Sequence, residues 1–254
     1  MEEVPVTMPG FEGKRVMVTG AAQRLGAVIA RAFAEHGAAV VVHCFRSRDD
    51  AERLVASLPP CPEPLRHEVV SCDLADLDAV RRMAEAVGPV DCLVNNAAMW
   101  IRGDAPQPEL DRQEAVNRLA PVELIRLFAH MCPQEREFSA VNILDAATLS
   151  GAAPASPYEA TKAALRRDTL VLALELAPRV RVNAVAPGPV FPPRELGSAG
   201  LKHIPATLPL KAPVDPADIA RAVIFLASAK SVTGAVLPVD CGQSLLFQQP
   251  MKGF

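Results

Sequence analysis

Tyr158 and Lys162, in the run Tyr158-Glu159-Ala160-Thr161-Lys162, stand four residues apart and share one face of any helix that holds them. Tyr158 is the only tyrosine in the chain. A phenol titrates at about 10, and bringing it near neutrality takes roughly 4 kcal/mol of preferential stabilisation of the phenolate. A lysine ammonium one helical turn away can supply part of it. The pair reads as a proton donor with its tuning charge. The spacing alone is common by chance, so its meaning depends on what surrounds it.

A second group of residues suits phosphate binding. The run Thr19-Gly20-Ala21-Ala22-Gln23-Arg24-Leu25-Gly26 joins a strand-like stretch to an amphipathic one. Gly20 permits a tight turn and Gly26 a close helix–strand approach, while the free N–H groups of a helix start favour a pyrophosphate. Downstream, His43-Cys44-Phe45-Arg46-Ser47 closes a second strand-like run, with no carboxylate between Glu35 and Asp49. An NAD site would place an acid here for the ribose hydroxyls. Arg46, Ser47 and His43 are instead suited to a 2′-phosphate, with Arg24 across the cleft. The expected cofactor is therefore NADPH/NADP+. Asp73 and Asn95, at the ends of the next two strand-like runs, are candidates for adenine and ribose contacts.

Periodicity supplies the elements that hold these groups. Strand-like runs at 15–19, 39–43, 69–71, 91–95, 140–144, 180–184 and 235–239 alternate with helical patterns. Leu25, Val28, Ile29, Ala32 and Phe33 trace the first apolar stripe, which Gly37 stops. Further helices are expected near 76–87, 109–132, 157–177 and 216–228. Such alternation predicts an α/β fold: one doubly wound domain over 1–254 around a seven-stranded parallel sheet. The proline-rich segment 58–66 reads as a surface loop. Residues 187–214, also rich in proline, leave the carboxyl end of a strand and read as a substrate lid.

Composition excludes other classes. A net charge of −3 gives no reason to expect nucleic acid or an anionic membrane as partner. No apolar run approaches the roughly 20 residues that span a bilayer, and the start Met1-Glu2-Glu3 lacks the features of a signal peptide. No two of the six cysteines lie closer than eleven residues, and the five histidines are scattered, so no metal site is expected. A cytoplasmic protein with reduced thiols follows as the expectation.

Read together, Thr19 to Gly26, Asn95-Asn96-Ala97, Tyr158 with Lys162, and Pro187-Gly188 resemble the short-chain dehydrogenase/reductase family over essentially the whole chain. The resemblance implies a Rossmann fold, a nicotinamide cofactor contacted also at Leu25, Ala97, Lys162, Pro187 and Gly188, and usually a homotetramer. It makes Asn117 the residue that holds a water of the proton relay. Two departures narrow it. The family's serine stands thirteen residues before the tyrosine, where this chain has Asp145, and the middle glycine of the fingerprint is Arg24. Both are similar to the pteridine reductase branch, which reduces dihydropterin or dihydrofolate with NADPH. That likeness assigns substrate contacts to Arg24, Trp100, Asp145 and Tyr158, with the pterin stacked on Trp100. A short-chain reductase or dehydrogenase acting on a carbonyl or other small metabolite is the alternative. A non-catalytic NADP(H) sensor is a further one, but binding alone would not require the set Asn117, Tyr158 and Lys162.

Overall fold

The computed structural model describes residues 10–191 and 204–247. Strands β1 (Arg15–Val18), β2 (Ala39–Cys44), β3 (Glu68–Ser71), β4 (Cys92–Asn95), β5 (Phe138–Ile143), β6 (Val180–Pro187) and β7 (Val236–Val239) form one sheet in the order β3-β2-β1-β4-β5-β6-β7. Every pair is parallel. The order reverses between β1 and β4, and ligands of such sheets bind outside the carboxyl ends at that switch. Both faces are buried, as the β-branched runs require. Val16, Val18, Val40 and Val42 point to one core, while Met17 and Val41 point to the other, the two-residue period of a strand.

Helix α1 (Arg24–Glu35) buries Ile29, Ala30, Phe33 and Ala34 in the first core, where Phe33 meets Phe11 edge-on at 4.9 Å. Helix α2 (Arg48–Ser57) was not legible in the sequence: it buries only Ala51 and Leu54 among charged neighbours, so no apolar stripe announces it. Helix α3 (Leu77–Val87) packs on the opposite face through Val80, Met83, Ala84 and Val87.

The helix expected near 109–132 is divided. α4 (Gln107–Glu114) runs through a wide π turn, Ala115–Leu119, into α5 (Ala120–Met131). Pro121 has no N–H for the carbonyl of Asn117 four residues back, and the helix widens there. α6 (Pro157–Glu175), α7 (Ile204–Thr207), α8 (Pro216–Ser228) and α9 (Gln243–Phe247) complete the chain. All six cysteines are free thiols. The middle of the expected lid, residues 192–203, lies outside the described residues. Its entry is fixed at Gly188, whose N–H donates to the Val239 carbonyl at 3.0 Å.

Candidate active site

The chain leaves β1 into a crowded turn. Gly20 has φ +61°, and a Cβ there would stand 2.9 Å from the Ala97 Cα. One on Gly26 would stand 2.3 Å from the Gly20 carbonyl oxygen. Arg24 has φ +52°, the left-handed conformation that costs a non-glycine residue roughly 1–2 kcal/mol. Its guanidinium lies 5.1 Å from the Phe191 ring centroid. Helix α1 begins with no acidic residue in its first turn and no side-chain cap, which suits an anion.

Three side chains hold this turn from behind. Thr19 Oγ1 accepts from the N–H groups of Asn96 and Ala97, both at 3.0 Å. Asn96 Nδ2 donates to the carbonyls of Thr19 at 2.9 Å and Gly20 at 3.2 Å. His43 is buried, and its Nδ1 accepts from the Gly20 N–H at 3.1 Å. That bond fixes the tautomer, so Nε2–H donates to the Cys72 carbonyl at 3.1 Å.

At the end of β2 the side chains turn outward. Arg46 is exposed, with its guanidinium 4.8 Å from the Phe45 ring centroid. Ser47 stands at the N-cap of α2 without a side-chain capping bond. Arg112, on α4, lies 5.6 Å from the same ring and donates to Asp73 Oδ2 at 2.6 Å. Partial burial acts upward on Asp73, but the bond and charge of Arg112, with Arg46 behind it, hold its carboxyl below the usual range.

The chemical groups meet across β5 and α6. Ser156 caps α6 by accepting from the Glu159 N–H at 3.2 Å, and Tyr158 and Lys162 follow one turn apart. Lys162 is buried; its Nζ donates to the Ile143 carbonyl at 2.8 Å and lies 5.9 Å from the Tyr158 ring centroid. Burial pulls Lys162 down to about 8, against the upward pull of Asp145. Asp145 follows β5, and its Oδ1 accepts from the Ala147 N–H at 2.9 Å, capping the short 3-10 helix Ala146–Leu149. Burial raises its carboxyl, an effect opposed by the Ala147 bond and the charge of Lys162. Oδ2 has no hydrogen-bond partner among the described residues.

The glycine turn and the group Asp145, Tyr158 and Lys162 thus lie toward the carboxyl ends of one parallel sheet. The family model described as Enoyl-(Acyl carrier protein) reductase matches residues 20–244. The L-xylulose reductase of Mesocricetus auratus is 33% identical over 246 residues, covering 92% of this chain and 97% of that protein. The chain belongs to the short-chain dehydrogenase/reductase family. Among solved structures it is similar to FolM Alternative dihydrofolate reductase 1 from Brucella canis complexed with NADP. The TM-score is 0.86 at 31% identity, covering 96% of this chain and 98% of that one. A blue fluorescent protein from a metagenomic library, in complex with NADPH, gives 0.80 at 31%, covering 92% and 98%.

Within this short-chain dehydrogenase/reductase site, several expectations need correction. His43 does not face a phosphate: it is buried and both ring nitrogens are engaged, so it braces the Gly20 peptide instead. Asn95 is also buried, its side-chain amide donating to the Pro121 carbonyl at 3.3 Å and to Asn142 Oδ1 at 2.9 Å, so it braces β4 and β5. Asn117 lies in the π turn, and its side-chain amide bonds to Met99 and Thr161. The phenol of Tyr158 is raised, not lowered: burial dominates, Asp145 and Glu159 add to it, and Lys162 directs its ammonium to Ile143. Gly20, Arg24 and Gly26 form the turn after β1, while Arg46, Ser47 and Asp73 follow β2 and β3. Leu25 packs partly into the core, Ala97 contacts Thr19, and Pro187 and Gly188 meet β7. Trp100 is 62% exposed, so its indole face is open. Thr19 and Asn96 stood within the quoted motifs without a role of their own, and Arg112 was missed: it meets Asp73 across 39 residues, which no local pattern reveals.

His43 also yields an acid-stability prediction. Burial lowers its pKa from 6.5 to about 4, against the raising effect of its bond to the Cys72 carbonyl. Between those values the unfolded chain binds the proton and the folded chain does not. Stability should therefore fall as pH drops through that window, by about 3 kcal/mol. Urea denaturation at pH 7, 5.5 and 4 reads this slope. His43→Gln should flatten it, and an unchanged slope would place the proton uptake elsewhere.

Proposed function

We propose that the protein is an NADPH-dependent reductase that delivers hydride to the C=N bond of a pterin-type substrate, a dihydropterin or dihydrofolate. Asp145 carries this reading. A carboxyl stands where the family's serine would, beside Tyr158 and Lys162, with one oxygen anchored on Ala147. A serine hydroxyl suits a ketone oxygen, whereas a pterin presents ring nitrogens and an amino group. A carboxyl accepts from such N–H groups and, when protonated, donates to a ring nitrogen. The NADP complex of the Brucella canis FolM protein supports the same reading.

The residues fit NADP(H). Gly20 and Gly26 leave room for a pyrophosphate at the start of α1, and Arg46 and Ser47 would hold the 2′-phosphate. Asp73 would serve the adenosine, and Lys162, Pro187 and Gly188 the nicotinamide end. When bound, the dihydronicotinamide supplies the hydride. Tyr158 must then begin protonated, and its raised pKa keeps it so. The proton leaves once hydride addition at carbon makes the substrate nitrogen strongly basic. Lys162, largely charged at neutral pH, compensates the phenolate that results. Asp145 orients the substrate, and Trp100 offers a flat apolar wall for the ring, with Arg24 at its edge.

A second reading, reduction of a carbonyl, is favoured by the identity to L-xylulose reductase. NADPH consumption with dihydrobiopterin, dihydromonapterin, dihydrofolate and a ketone set that includes xylulose separates the two. Turnover of the pterins is expected; a ketone-only profile would overturn the first reading. The exposed Leu170, Val171 and Leu174 on α6 support assembly, for which we propose a homotetramer, read by light scattering. No helix among the described residues is long and apolar enough to cross a membrane, and we propose a cytoplasmic location. Arg46→Ala should weaken NADPH binding by roughly 1.5–3 kcal/mol, as for a charge-assisted hydrogen bond, and leave NADH nearly unchanged. Titration of cofactor fluorescence reads both; equal losses would show that Arg46 does not face the 2′-phosphate.

A further inference from the structure

Two buried amides on successive turns of one helical stretch, Gln113 and Asn117, grip the backbone on either side of Trp100. Asn117 Oδ1 accepts from the Met99 N–H at 2.7 Å, and its Nδ2 donates to the Met99 carbonyl at 2.8 Å. Gln113 Oε1 accepts from the Ile101 N–H at 2.6 Å. Both side chains are fully buried, while the indole between their two anchor points is 62% exposed. Met99 packs into the core, so the loop is tied at Met99 and Ile101 with Trp100 held out between them. Asn117 Nδ2 also donates to Thr161 Oγ1 at 3.1 Å, linking the clamp to the helix of Tyr158 and Lys162.

Gln113 is the informative member. Its Nε2 is buried with no hydrogen-bond partner among the described residues, a condition native interiors seldom tolerate. An apolar side chain of the same size would fill the position without that orphan donor. What it would lack is the acceptor for Ile101. We infer that Gln113 is a positioning residue that sets the orientation of Trp100, and through it the affinity for a planar, ring-shaped substrate. The inference rests on the proposed stacking role of Trp100. Gln113 itself touches neither substrate nor cofactor: its bond is to the backbone one residue beyond the indole.

The test uses the chain's single tryptophan as its own reporter. In Gln113→Met, which keeps the volume and removes the acceptor, the fluorescence anisotropy of Trp100 should fall and acrylamide quenching should rise. KM for the dihydropterin should increase roughly five- to twentyfold, with kcat and NADPH affinity within about twofold of the parent. Gln113→Glu, which keeps an oxygen for Ile101, should recover most of both signals. In a Trp100→Ala background, Gln113→Met should have no further effect on KM, because the residue it acts through is gone. Unchanged anisotropy and quenching in Gln113→Met would overturn the inference even if pterins are reduced. Loosening of Trp100 would uphold the clamp even if the panel shows only carbonyl turnover, since the fluorescence arm needs no substrate. A parallel loss of kcat, KM and NADPH affinity, persisting in the Trp100→Ala background, would reduce Gln113 to a structural residue and also overturn it.

Discussion

Replacing Tyr158 by phenylalanine should lower turnover by roughly 10²–10⁴-fold, the usual contribution of a positioned general acid, while NADPH binding stays within about twofold. The substitution is clean. Tyr158 is the only tyrosine, and its hydroxyl has no hydrogen-bond partner among the described residues, so removing it leaves no buried group stranded. The ring that Lys162 faces at 5.9 Å is kept. The same geometry predicts the pH profile of the native enzyme. The phenol is raised by burial, Asp145 and Glu159, so it keeps its proton through the weakly alkaline range. Lys162, at about 8, loses its charge there first. The alkaline limb of kcat/KM should therefore fall through about 8 as Lys162 deprotonates, since that profile reports the free enzyme. Steady-state rates from pH 6 to 9.5, with a cofactor titration of the variant, check both statements. Near-native turnover in Tyr158→Phe would move the acid elsewhere, with Asp145 first in line.

The strands were legible because strands buried on both faces must be apolar almost continuously, and runs such as Ala39–Cys44 can be little else. The turn around Gly20 was legible because contacts of 2.3–2.9 Å exclude a Cβ and so fix the residue type. What escaped was decided by distant partners. His43 follows three valines and precedes Arg46, and only the fold shows that its ring turns inward to Gly20 and Cys72. Asn95 and Asn142 pair across adjacent strands 47 residues apart. The direction of the Tyr158 shift is set by burial, with Asp145 and Glu159 adding to it, and burial is not written in the spacing to Lys162. Helix α4 shows the same limit. Its Arg112 braces Asp73 and its Gln113 braces Ile101, yet in sequence they are polar residues on a solvated helix.

Asp145→Ser should restore the family's common serine and yet lose pterin reduction by at least tenfold in kcat/KM, about 1.4 kcal/mol of transition-state binding. The fold should survive, because Asp145 caps the 3-10 helix through Oδ1 and a serine hydroxyl can accept the same Ala147 N–H. What disappears is the second oxygen and the negative charge. A neutral hydroxyl already engaged in the cap cannot pair with the N–H groups of a pterin. The electrostatics give an independent signature. Asp145 pushes Tyr158 up and holds Lys162 up against burial, so removing its charge should move the alkaline limb below about 8. The variant should also gain weak ketone reductase activity, since a hydroxyl beside Tyr158 suits a carbonyl oxygen. Unchanged pterin reduction with a displaced limb would mean that the carboxyl tunes its neighbours without touching substrate. Unchanged reduction with an unmoved limb would make Asp145 a helix cap alone, and the chain a general short-chain reductase whose substrate is chosen by other walls of the cleft.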